Sequence, residues 1–185
     1  PGVDGDPHIY ILYATGIGDN ILGYFSSADE YPPQVNEYSN AHEMFVFNAD
    51  NSPLENDSTY GTLAHEMQHM IHWYQDRNES TWMSEGFSDL AALLNGFYTG
   101  SSDALYTSNP DLQMNNWPEN SDDEIIAHYG ASFLFVTYFL DRFGETATKA
   151  LIANQDNDLN SVDSTLQQLN MIDPLTGKPI YADDF

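Results

Sequence analysis

An α+β fold is what this sequence predicts: a small N-terminal β-sheet packed on the helix that follows it, then a mainly helical C-terminal part. Three observations carry the expectation. Runs rich in β-formers lie before residue 50, apolar residues recur at steps of three and four from Tyr60 onward, and a long apolar segment, Ile125 to Phe143, stops at Gly144. With 185 residues and 41% hydrophobic content the chain fits one domain over 1–185 with a sizeable core. Within it the reading is mainly strands over 1–58, two helices over 59–100, a loop over 101–123 and helical structure over 124–185.

His8 to Ala14 and Glu43 to Asn48 read as strands bounded by Pro, Gly and Asn, with Ile21 to Phe25 a weaker third. Tyr60, Leu63, Ala64, Met67, Met70, Ile71 and Tyr74 draw one apolar stripe, so a helix is expected from Thr59 to Tyr74 with that stripe in the core. Asn56-Asp57-Ser58-Thr59 offers its N-caps. A second helical pattern runs from Trp82 to Leu94, with Ser80 or Thr81 as its cap and Gly96 beyond its end. Ser101 to Asp123, dense in Ser, Asn, Asp and Pro, reads as a surface loop. Asp156 to Asp163 has some look of a Ca²⁺ loop. It lacks the glycine and closing glutamate of an EF-hand, which favours a helix-connecting turn capped by Asn160 or Ser161.

The first helix carries His65-Glu66-Met67-Gln68-His69. Residues four apart share a helix face, so both imidazoles can reach one ion, while Glu66 projects beside it and can take a proton from a water that the cation has acidified. That is the HExxH pattern of zinc peptidases. Two imidazoles leave a catalytic zinc one protein ligand short, and Glu85 on the second helix meets the demand. Asp89, one turn later, shares its face and can orient a ligating histidine by accepting its free ring N–H. In so acidic a chain the pair Glu85 and Asp89 also reads as a solvated stripe. A metzincin would need glycine at position 72 and histidine at 75, where this chain has His72 and Gln75. His72 is expected to rim the cleft, and His8 and His42 to be hydrogen-bonded or surface residues.

At these residues, His65-Glu66-x-x-His69 and Trp82-x-x-Glu85-Gly86-x-x-Asp89, the sequence resembles the gluzincin metallopeptidases, the clan of thermolysin-like enzymes and related aminopeptidases. It is most similar there to the compact bacterial branch of hyicolysin-like and minigluzincin peptidases, over about half the chain. The resemblance implies a zincin-like fold holding one Zn²⁺ on His65, His69 and Glu85. It implies a peptide or protein substrate and a downstream Tyr129 or His128 that steadies the oxyanion. It also implies that the strand before the active-site helix, Met44, Phe45, Val46, Phe47 and Asn48, is the edge on which substrate docks. The residues themselves allow blander readings: Tyr129 as a core aromatic with its hydroxyl satisfied, and 44–48 as an ordinary strand. With no acidic clamp for an amino terminus, endopeptidase action is expected. The alternatives are an aminopeptidase of the same clan and a non-catalytic, zinc-stabilised binding module.

Four basic against 29 acidic residues leave a formal charge of −25, which repels nucleic acid and anionic lipid and excludes them as partners. No stretch is long and apolar enough to cross a membrane. The acidity, the absence of cysteine and the resemblance together point to a secreted bacterial protein. Pro1 in place of Met reads as a processed product or an excised domain, any leader or pro-segment having been removed before this numbering begins.

Overall fold

The computed structural model describes residues 2–98, 100, 102–118 and 123–185, the side chains of 123 and 124 excepted. It is α+β. Strands β1 (Tyr10–Ala14), β2 (Gly23–Phe25) and β3 (Met44–Asn48) precede helices α1 (Asp57–Gln75), α2 (Thr81–Leu94), α3 (Ser102–Ser108), α4 (Asp123–Ile152) and α5 (Leu159–Gln168). Two compact units emerge, Pro1–Met70 with Ala91–Thr99, and Ile71–Leu90 with Gly100–Phe185. No helix among the described residues is long and apolar enough to cross a membrane.

In the first unit β3 is the central strand. It pairs parallel with β1, Tyr10 opposite Met44 and Ala14 opposite Asn48, and antiparallel with β2, Gly23 opposite Phe47 and Phe25 opposite Phe45. Phe45 and Phe47 point to the face that receives Leu63, Met67 and Met70 of α1, with Phe25 beside them. Each large apolar side chain so buried contributes roughly 1.5–3 kcal/mol. Only the middle of the expected stripe is core. Tyr60, Ile71 and Tyr74 stay exposed. β1 is itself exposed along Tyr10 to Tyr13. Ahead of β1, Asp4 and Asp6 are held below the ordinary carboxylate value, Asp4 by the Asp6 backbone N–H and then the His42 ring, Asp6 by the His8 side chain and backbone. His8 and His42 are thus hydrogen-bonded residues at the margin of the sheet, as expected.

Helix ends follow local chemistry. Asn56 caps α1, its Oδ1 accepting the Ser58 N–H at 2.9 Å. At the end of α2, Gly96 takes φ 81°. Its N–H donates to Leu93 O at 2.9 Å while the Phe97 N–H reaches Ala92 O at 3.0 Å, a Schellman closure.

The second unit has its core between α2 (Trp82, Met83, Phe87, Leu90), α4 (Val136, Phe139, Ala147, Leu151) and α5 (Val162, Leu166). The apolar segment expected to end at Gly144 is interrupted there, φ 81° and ψ 174°, but helical structure resumes to Ile152. Two expectations are corrected. The loop read over 101–123 contains α3, a two-turn helix too short to show a periodicity and held by packing on α4. Residues 101 and 119–122 of that loop lie outside the described ones. Asn160 and Ser161 lie inside α5 and do not cap it. The cap residue is Asp158, and the carboxylate that serves this helix end comes from Glu79, which accepts the Asp158 N–H at 2.8 Å and the Ser161 hydroxyl at 3.2 Å.

α3 approaches α4 at Gly130, where a Cβ would come within 2.0 Å of the Ser102 carbonyl oxygen. Gly130→Ala is therefore expected to destabilise the protein by about 1–3 kcal/mol through overpacking. A lowered urea midpoint checks this; an unchanged one would mean that α3 moves aside at no cost.

Candidate metal centre

Packing of Leu63, Met67 and Met70 on the sheet sets the rotation of α1 about its own axis. At about 100° per residue, His65 and His69 then fall roughly 150° from the centre of the buried face, with Glu66 on the shoulder between. The burial agrees: both histidines are half-buried and Glu66 is 8% exposed. On that shoulder the Glu66 carboxylate meets the end of β2, where Oε2 accepts the backbone N–H of Phe25 at 2.8 Å.

The imidazoles converge. His69 Nε2 lies 3.0 Å from His65 Nε2, with ring centroids 4.7 Å apart and planes at 75°. Two nitrogen ligands of a tetrahedral zinc stand about 3.3 Å apart, given Zn–N near 2.0–2.1 Å, so the facing nitrogens are within a few tenths of an ångström of a chelating pair. Glu85, half-buried on α2, completes the group: one ligand atom from each of His65, His69 and Glu85 lies within 4.8 Å of the others. Two imidazoles and one carboxylate form a donor set suited to a catalytic metal, with a position left for water or substrate. These residues can hold a metal ion.

The other expected residues lie as follows. Asp89 stands one turn after Glu85 on α2, half-buried and outside the three-residue group. His128 is 6% exposed, its Nδ1 3.2 Å from the Met114 carbonyl and its ring against Trp117. The Tyr129 ring also packs on Trp117, edge to face at 5.1 Å. His72 does not rim a cleft. It is 2% exposed, its ring edge-on to Phe87 at 5.7 Å, because the last turn of α1 packs on α2.

The substrate floor over Met44 to Asn48 is corrected. β3 has a neighbour on each side and is buried along its whole length, so it presents no free edge to an extended ligand. Met44, Phe45, Val46 and Phe47 are core. Asn48, 1% exposed, spends its carboxamide on the chain before β2, donating to Gly18 O at 2.7 Å and Ile21 O at 2.9 Å. The edge beside Glu66 is β2. The Asn48 N–H donates to Leu22 O at 2.9 Å, so strand alternation turns the backbone groups of Leu22 and Tyr24 toward β3 and those of Gly23 and Phe25 outward. Sequence reading missed Phe25, since the group involved is a backbone N–H and leaves no mark on residue type.

In the expected calcium loop the carboxylates of Asp158 and Asp163 are engaged by protein donors. Asp158 accepts from Trp82 Nε1 at 2.7 Å and Asn115 Nδ2 at 3.3 Å, and Asp163 accepts the Ala182 N–H at 2.7 Å.

Asn48→Ala is expected to cost about 1–3 kcal/mol, because two carbonyls lose their donor, and to leave metal affinity unchanged. Chemical denaturation and metal titration check this. Weakened metal binding at full stability would give Asn48 a part in the site itself.

Scans against protein-family models and against curated proteins return no match to this chain.

Proposed function

We propose that the chain is a zinc-dependent peptidase of the gluzincin kind, acting as an endopeptidase. The observation that carries the reading is the convergence of His65, His69 and Glu85 on one point, with the carboxylate of Glu66 beside the histidines on the same helix. A structural zinc closes its ligand set and has no use for a base alongside.

In this reading His65, His69 and Glu85 hold the ion, and Asp89 orients a ligating ring. Zn²⁺ bound there would supply Lewis acidity toward a water molecule and the scissile carbonyl. Glu66 removes a proton from the water as its oxygen attacks the carbonyl carbon. When the C–N bond breaks, Glu66 returns that proton to the leaving amine, so that water is divided between the two products. Tyr129 or His128 donates to the carbonyl oxygen as it gains charge. An extended peptide lies along β2, where the outward N–H and C=O of Gly23 are available for strand-like pairing. The charge of −25 suits a secreted enzyme acting on peptides and leaves nucleic acid aside.

Glu66→Gln is expected to retain zinc, measured by elemental analysis, while cleavage of a quenched-fluorescent peptide library falls by about 10²–10⁴-fold. Undiminished turnover would refute the role of the base. Glu85→Ala is expected to weaken zinc retention against a chelating dye by more than the roughly 10–100-fold that losing an outer-shell partner costs. Full occupancy would place the third ligand elsewhere.

A further inference from the structure

Glu66 is a nearly buried carboxylate held by the backbone of β2. Oε2 accepts the N–H of Phe25, the last residue of β2. The ladder to β3 does not need that N–H: Phe25 lies one step out of phase with Leu22 and Tyr24, the residues whose backbone groups face β3. An outward-facing edge donor, ordinarily open to solvent or to a docking strand, is thus committed to a side chain from α1. A carboxylate with one oxygen so fixed cannot exchange its oxygens by rotation without breaking the bond, and hydrogen bonds to charged acceptors are among the stronger ones.

We propose that the backbone amide of Phe25 is a positioning group for Glu66: by anchoring Oε2 it fixes the orientation of the carboxylate that removes the proton. The proposal rests on the peptidase reading of the same site. It carries a consequence for recognition. With the Phe25 N–H spent inside the protein, Gly23 supplies the outward N–H of β2 to a substrate backbone. The strand that receives the peptide also aims the base, through adjacent backbone groups two residues apart.

The test removes one hydrogen. Phe25→Pro deletes the N–H genetically. Replacing residue 25 with phenyllactic acid, which exchanges the amide for an ester and keeps the ring in the core, does so where the proline variant fails to fold. Zinc content, kcat and KM are measured with the most rapidly cleaved member of a quenched-fluorescent peptide library. The expected result is a fall in kcat of about ten- to a hundredfold, with zinc retained and KM within about threefold. Combined with Glu66→Gln, the ester is expected to cost nothing further, since the group it positions is gone; a merely structural role would add its cost in both backgrounds.

A second measurement does not depend on turnover. In protein labelled with ¹⁵N-phenylalanine and ¹⁵N-tyrosine, Glu66→Ala is expected to speed hydrogen exchange of the Phe25 amide by at least about tenfold and to leave that of Tyr24 unchanged. An ester variant with wild-type kcat, or a Phe25 amide indifferent to Glu66→Ala, overturns the proposal. If Glu66→Gln retains full turnover, the role of Glu66 as base fails by itself, while the exchange experiment still decides whether the amide holds the carboxylate.

Discussion

The seating of α1 on the sheet is the constraint on which the rest of this structure depends. Leu63, Met67 and Met70 interlock with Phe45 and Phe47, and a helix fixed on one face is fixed on all of them. Turning α1 by a single residue, about 100°, would carry Glu66 away from β2 and bring a histidine toward the apolar side. The cost of burying a polar ring or an unpaired carboxylate there opposes any such rotation. The two imidazoles are therefore placed by the apolar packing of the opposite face of their helix.

The sheet serves this helix through an unequal division of labour. β3, central and buried, is a platform whose backbone is consumed by its neighbours and whose Asn48 ties down the chain that leads into β2. β2, three residues long, is the strand with outward-facing backbone next to Glu66. A short edge strand is a poor template for unwanted pairing. The outward backbone groups of β2 are those of Gly23 and Phe25, and Glu66 has taken the N–H of the second.

Much of the local structure was legible in the residues. The HExxH spacing, the Asn56 cap, the Gly96 closure and the break at Gly144 all depend on groups within a turn or two of one another, and each lies where local rules put it. The misreadings share a cause. Helical period alone assigns His72, Tyr60, Ile71 and Tyr74 to faces, but which arc of a helix is covered depends on what packs against it. The carboxylate that serves the start of α5 comes from Glu79, far away in the chain. α3 has too few residues to announce itself and is stabilised by the close approach of its backbone to Gly130.

The order of the strands divides what the chain carries locally from what folding adds. The sequence alone determined that two imidazoles and a carboxylate share one helix, because a spacing of four residues is a property of the helix itself. It also named Glu85 as the third donor, since a second helical pattern follows within reach of a short turn. Only the tertiary structure decided that this carboxyl group lies within 4.8 Å of both histidines, that β3 sits inside the sheet while β2 forms its edge, and that a backbone N–H holds the Glu66 carboxylate. Strand neighbours and backbone donors are chosen by packing between segments distant in the chain, and residue type does not encode which backbone groups remain unspent when that packing is complete.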